Sequence, residues 1–549
     1  MVGRRRTLVA TLMFGAAMLV PVASGGAQAV PTGKSASPHM SINCEYSTLC
    51  PDLGDNSAVY GDDEYVGHDE PSLLFYSNKP GAGNNMQYQF TLPKDPTPDH
   101  PTTPGKSYNF ELNGAIWFGM ALCDTQSYPE QVSTCTPDSD SNIVDPAVSP
   151  DHPGTAFLEL QFYPPGWVPW PTWAVALGAD TCSPTKWCAA MNVFSLLEDP
   201  VAGTVQNPTC AARVGIETFQ FAFVTRNGVA QGPANQLQST LDTFTPKEGT
   251  DLFMKSGDKL NVSIHDTPDG VQTQIDDLRT GQSGSMTASP QNGFGQIQYD
   301  PTGTSCNLIP YAFHPMYSTA SEQTRVIWAA HSYNVAFSDE IGHFQFCNGA
   351  AVPSTPFGLD ADGNPVACPA GNTEGSGADQ RPTDGDNDFC FPPANSMLVK
   401  VQGCTETNAG FDGVGYIPDW PDGNTKLHPT PLQFTSPTTG GTPYDRVAFE
   451  ADLPAVETNT CNRNTGVGCT LIPTTDSGTP AQFYPFFTTT NVDGTCNWQF
   501  GNNTPGQTSN FGENAQYGAL LPLTYLRFGG GGTTLVRFNN FRNIIANPC

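Results

Sequence analysis

Three observations predict an all-β fold, a disulfide-stapled β-sandwich accompanied by a second β-rich region. Short segments alternate apolar and polar residues with a period of two, as strands buried on one face do. Between them lie turn-forming runs drawn from 55 Gly and 50 Pro among 549 residues, which leave little room for long helices. Sixteen cysteines and 10% aromatic residues supply enough cross-links and apolar surface for a core, unlike disordered chains of similar Gly and Pro content.

In chain order, Arg4, Arg5 and Arg6 precede the apolar run Leu8 to Val22 and the small residues Ala27-Gln28-Ala29, the pattern of a secretory signal peptide over residues 1–29. No later stretch approaches the roughly 20 consecutive apolar residues of a membrane span, so the mature protein is expected to be secreted and extracellular. Residues 30–350 read as a sandwich domain. An arm holding Cys44 and Cys50 leads into strands at Ser72 to Tyr76 and Met86 to Leu92. NFELNGAIWFGMALC follows, one or two strands broken at Gly114, with Trp117 and Phe118 on opposite faces.

The segment Ala156 to Trp167, AFLELQFYPPGW, carries two distinct faces. Leu158, Leu160 and Phe162 suit a dry interior, while Phe157, Glu159, Gln161 and Tyr163 set a carboxylate and an amide among rings, as a binding cleft would. Trp167, Trp170 and Trp173 follow at spacings of three, but Pro169 and Pro171 exclude a helix and put these rings on an irregular loop. That loop either lines a cleft or packs its own small core. Farther on, KLNVSIHDT, the turn Pro268-Asp269-Gly270 and VQTQIDDLRTGQSGSMTAS predict an antiparallel hairpin with Gly at a positive-φ position. At about residue 350 the texture turns to Gly, Pro, Asp and Asn. Residues 351–549 are read as this loop region and a second β-rich unit, which either folds alone or completes the first, with strands at Leu432 to Phe434, Arg446 to Phe449 and Leu520 to Arg527 among others.

Even cysteine usage in an exported chain favours disulfides, with local pairs at Cys44/Cys50, Cys123/Cys135, Cys182/Cys188 and Cys461/Cys469 and the remaining connectivity open. Their spacing is not that of a zinc ribbon. Lys and Arg number 23 against 52 Asp and Glu, a formal net charge of −29. Such a surface repels phosphate backbones and anionic lipid, which argues against nucleic-acid and membrane partners and for a soluble monomer. Serine-hydrolase, nucleotide and dinucleotide chemistry are disfavoured, because the sequence holds no nucleophile elbow, phosphate loop or dinucleotide fingerprint. No organic cofactor is expected.

AIWFGMALCDT, LELQFYP, SGDKLNVSIHDTPDG and DDLRTGQSGS, in that order, resemble over about residues 109–300 the glutamic peptidases called eqolisins. The resemblance implies a concanavalin-like β-sandwich or jelly roll, and catalysis by a Gln and a Glu on its concave face. Gln126 is a loose match for the Gln. The Glu is expected on a strand after the hairpin, where Tyr311 to Ser318 reads YAFHPMYS and holds no carboxylate. Glu159 as a substitute comes from the residues themselves and not from the family.

A carboxyl among rings suits proton transfer, and Glu159, Gln126 and Gln161 are the catalytic candidates. Phe157, Tyr163, Trp167, Trp170 and Trp117 are the candidate substrate-binding residues. A glycosidase needs a second carboxyl, for which Glu111, Asp124 and Glu217 are available; the competing reading of Glu159 is a solvated residue on a sheet face. Asp360, Asp362 and Asn364, and then Asp384, Asp386 and Asp388, place oxygen ligands at alternate positions around glycines, as Ca²⁺ binding requires; ordinary Asp turns produce the same pattern. His331, Glu340 and His343 lack metalloprotease spacing. The expected function is hydrolysis of an extracellular polymer, peptide or polysaccharide, from an aromatic-lined concave face. The alternative is a non-catalytic protein that binds carbohydrate or a surface with the same face.

Overall fold

The computed structural model describes residues 68–77, 85–94, 107–127, 155–165, 182–183, 185–199, 204–215, 217–315, 335–345, 357–359, 365–366, 429–452, 487–500, 509–510, 521–526, 533–538 and 543–549. Within these the chain is all-β, built of antiparallel sheets with few and short helices. The early strands are β1 (His68–Tyr76), β2 (Asn85–Thr91), β3 (Ser107–Cys123), β4 (Thr155–Tyr163), β5 (Cys188–Leu196), β6 (Glu198–Asp199) and β7 (Thr204–Val205). Helix α1 (Pro208–Val214) precedes β8 (Glu217–Phe223), and helix α2 (Leu241–Phe244) precedes β9 (Lys259–Thr267), β10 (Gly270–Asp277) and β11 (Ser283–Thr287). Then come β12 (Gly295–Ile297), β13 (Leu308–Pro310) and β14 (Val335–Gln345).

One eight-stranded sheet runs in the order Asn543–Ala546, Arg446–Asp452, β1, β14, β3, β4, β5, β8. A second runs β11, β10, β9, β2, Gln433–Thr435, Thr495–Phe500, Phe487–Val492, Ser509–Asn510. Strands beyond residue 430 therefore pair directly with β1 and β2. The two sheets contribute to a single apolar core. Phe118 of the first sheet lies 4.4 Å from Tyr88 and 5.2 Å from Phe90 of the second, ring centre to ring centre. Phe337 of the first stacks on Phe434 of the second at 4.3 Å. Each such ring buries enough apolar surface to be worth about 2 kcal/mol or more.

The alternation seen in the sequence orients these strands. Leu158, Leu160 and Phe162 of β4 and Met86, Tyr88, Phe90 and Leu92 all enter the core. The β9–β10 hairpin forms in register, with Gly270 at φ 124°. Any side chain at Gly270 would also meet the Ala288 carbonyl, 2.5 Å from where a Cβ would stand. β3 continues past Gly114, and the expected break appears as a register shift: Ile116 faces Asp339 while Glu111 faces Ile341. β5 lacks alternation because it is covered on both faces, so the period-two signal that marks half-buried strands is absent from CAAMNVFSL.

Three disulfides are present among the described residues: the local Cys182–Cys188 and the long-range Cys210–Cys306 and Cys496–Cys549. Cys210 belongs to α1, which starts where Asn207 accepts the Cys210 backbone N–H at 2.9 Å and Pro208 takes the first helical turn. No helix of the described residues is long and apolar enough to cross a membrane.

Buried carboxyls set a pH dependence for this fold. Burial pushes the Asp251 carboxyl up to about 6, against hydrogen bonds from the Lys247 and Gln231 N–H groups that favour the carboxylate. The folded chain thus holds this proton more tightly than the unfolded chain, whose Asp titrates near 3.8. The contribution to stability is complete below that value and lost as pH rises through 6. His314 is also raised, by its hydrogen bond to Asp266, and its contribution likewise fades as pH rises above the folded-state value. Asp258 acts the other way: burial, the largest single influence, raises it, but the hydrogen bonds from Arg279 and the Lys255 N–H, the Arg279 charge and the bond with Asp277 together outweigh burial and lower it, so its contribution is lost only in stronger acid. The melting temperature should therefore be higher at about pH 5 than at about pH 7.5, and Asp251→Asn should flatten this difference by on the order of 2 kcal/mol. A thermal melt series across pH with no such slope would show that Asp251 is solvated in the folded state.

Candidate functional site

The face of the first sheet that turns away from the core is ordered by cross-strand pairing. One rung runs Ser338, Trp117, Gln161, Ala190, Phe223. The next runs Ala336, Gly119, Glu159, Asn192, Phe221, and the third Ala121, Phe157, Phe194, Phe219. Glu159 thus sits at the centre of a rung, with small residues on one side and Asn192 on the other. Gly119 is required there, since an added Cβ would fall 2.4 Å from the Phe157 ring. Trp117 packs edge-on against Phe157 at 5.9 Å.

Four polar side chains on this face form one chain of hydrogen bonds. Gln161 Nε2 donates to Glu159 Oε2. Gln161 Oε1 accepts from Tyr163 OH at 2.6 Å and from Asn192 Nδ2 at 3.0 Å. Two donors on its oxygen fix the orientation of the amide, so its N–H₂ must face the carboxylate. Burial raises the Tyr163 phenol far above its usual range, helped by the charge of Glu159 and opposed by Asn192, so Tyr163 remains a donor at any physiological pH. The surrounding rings are closed off, Trp117 and Phe157 being each 1% exposed, while Glu159 and Gln161 are the half-buried members that solvent reaches.

Gln126 lies elsewhere. Its Nε2 donates to the Thr125 carbonyl and its Oε1 accepts from Tyr299 N at 2.9 Å. It tethers the segment after β12 to the end of β3. Beside it Asp124 is buried, accepting from Ser195 Oγ and Gln296 Nε2 at 2.7 Å each. Burial pushes the Asp124 carboxyl up, and bonds from Gln126, Ser195, Gln296 and Ser127 oppose this. Ser195 follows the core-facing parity of β5 and Asn192 the outward one, so this second carboxyl belongs to the other side of the sheet from Glu159. The structure therefore joins Glu159, Gln161 and Tyr163, packs Trp117 and Phe157 beside them, and places Gln126 in a separate network.

Trp167 and Trp170 lie outside the described residues, as do Asp360, Asp362, Asn364, Asp384, Asp386, Asp388 and His331; of Glu340 and His343 only the backbone is described. The short strands Phe357–Leu359 and Pro365–Val366 on either side of Asp360 to Asn364 pair with each other. Among the described residues, no group of three or more His, Cys, Asp or Glu is placed to hold a metal.

Compared with known family models, curated proteins and solved structures, the chain matches none. The site is accordingly read from its own geometry. Asn192 is the member that sequence reasoning missed. Its one signal was a lone amide inside the apolar run AAMNVFSLL, since an unpaired amide in a doubly covered strand is costly unless a partner meets it.

Proposed function

We propose that the protein is a secreted hydrolase that cleaves an extracellular polymer, peptide or polysaccharide, at the face built around Glu159. The observation that carries this reading is the half-open carboxylate whose amide partner has its orientation locked by Tyr163 and Asn192. A preoriented amide N–H stabilises negative charge, and a carboxylate beside it is suited to take a proton from water. On a peptide, the water oxygen bonds to the acyl carbon, the bond from that carbon to the leaving nitrogen breaks, and Glu159 returns the proton to the leaving amine; cleavage of a polysaccharide would require a second carboxyl facing Glu159 across the substrate. The concanavalin-like form of the sandwich and export through residues 1–29 are part of the same proposal. The disulfides and the lack of a membrane-crossing helix among the described residues are compatible with export.

The test is a screen of purified protein on mixed protein and glycan substrates between about pH 3 and 8, the range in which a carboxyl changes from acid to base. Release of new amino or reducing ends supports the reading. No release at any pH overturns it.

A calcium ion bound by Asp360, Asp362 and Asn364 or by Asp384, Asp386 and Asp388 belongs to the proposal as a stabiliser. Gathering carboxylates without the ion is unfavourable, so exhaustive chelation should lower the melting temperature, and added Ca²⁺ should restore it. An unchanged melting curve removes calcium from the account.

A further inference from the structure

The outward face of the second sheet is organised as closely as the first, and with different chemistry. One rung runs Ser283, Asp276, Asn261, Gln89 through β11, β10, β9 and β2. It continues through Thr435, whose Oγ1 accepts the Gln89 backbone N–H at 2.8 Å, to Asn497 and Thr490. A parallel rung runs Ser285, Gln274, Ser263, Gln87, Thr438. Between Gln433–Thr435 and Thr438–Thr439 the chain departs from β2 and opens a cavity of about 640 Å³, with a second of about 280 Å³ sharing Gln89 and Thr435.

Several amides on this face outside the larger cavity are paired, although Asn85, whose Oδ1 is buried without a partner, is not. Gln272 donates to Thr287 Oγ1 at 2.9 Å, and Gln433 to Gln499 Oε1 at 2.8 Å. Inside it, among the described residues, the side chains of Gln87, Gln89, Asn261 and Ser263 make no hydrogen bond, and Ser436 Oγ is buried without a partner. Rows of unspent donors and acceptors about 4.8 Å apart, the spacing of neighbouring strands, face one concavity.

We infer that this groove binds an uncharged oligosaccharide chain, at a site separate from the Glu159 face. An anionic polymer would meet a strongly acidic protein with Lys259 as the cation lining these cavities. A protein partner would need aromatic or aliphatic anchors, and the outward rungs supply amides and hydroxyls instead. A neutral glycan offers hydroxyls that both donate and accept, which is what a row of Asn, Gln, Ser and Thr side chains matches. The groove provides retention on a glycan surface and requires no chemistry of its own.

Native electrophoresis of the full chain through gels containing xylan, mixed-linkage β-glucan, galactomannan or dextran, with polygalacturonate as the charged control, tests this. At least one neutral polysaccharide should retard the protein, and about 0.5 M salt, where the Debye length is only about 4 Å, should leave the retardation intact. The double variant Gln89→Ala/Asn261→Ala should weaken it by about 10-fold or more, as loss of two hydrogen bonds implies. Gln87→Ala/Ser263→Ala serves as an independent pair at outward positions. Absence of retardation in every neutral gel, retardation by polygalacturonate alone, or retardation unchanged in both groove pairs overturns the inference. Because binding is read without turnover, an inactive protein that is still retarded defeats the hydrolase reading and leaves this one standing.

Discussion

Glu159→Gln should leave the fold intact and reduce turnover by at least about 100-fold on any substrate found in the screen. The replacement is nearly isosteric. Its Oε1 can accept from Gln161 Nε2 as Glu159 Oε2 does, and the bonds of Tyr163 and Asn192 to Gln161 need not move. What disappears is a group able to take and return a proton, so kcat should fall with little change in KM. Gln161→Leu tests the partner: it leaves the Tyr163 hydroxyl without its acceptor and the Asn192 amide with only its 3.4 Å bond to Tyr163 OH, and should lower activity while also costing about 1–3 kcal/mol of stability. If Glu159→Gln keeps full activity, the chemistry is not on this face. If instead the protein only binds, Glu159→Gln should change affinity modestly and Trp167→Ala should matter more.

Cys210→Ala/Cys306→Ala should lower the unfolding free energy by about 4–5 kcal/mol, the largest stability effect expected of any pair in the described residues. The two residues are 96 positions apart, so the bond closes a long loop and removes much of the freedom of the unfolded chain. In the folded state it holds α1 against the segment between β12 and β13, alongside bonds from Asn207 Nδ2 to the Gln298 carbonyl at 2.9 Å and from Thr209 Oγ1 to the Gly303 carbonyl at 3.2 Å. The local Cys182–Cys188, separated by six positions, should cost only about 2 kcal/mol by the same chain-entropy reasoning. Denaturant unfolding of both double variants ranks them. An equal or reversed ranking would mean that the unfolded chain already holds Cys210 and Cys306 near each other.

The sequence by itself determined the β class and the facing of individual strands. Leu158, Leu160 and Phe162 reach the core, Glu159 and Gln161 share the opposite face, and the turn at Gly270 closes its hairpin. These are local properties: alternation has a period of two, and a turn needs its positive-φ residue within a few positions. Only the tertiary structure decided which strands are neighbours. β1 pairs with Arg446–Asp452, nearly 380 residues later, and Cys496 with Cys549. β5, covered on both faces, carries no alternation to announce it, yet it is the strand that brings Asn192 to Gln161. Pairing over such distances depends on which surfaces fit once all strands have collapsed on a common core, and a sequence pattern read a few residues at a time does not encode that choice.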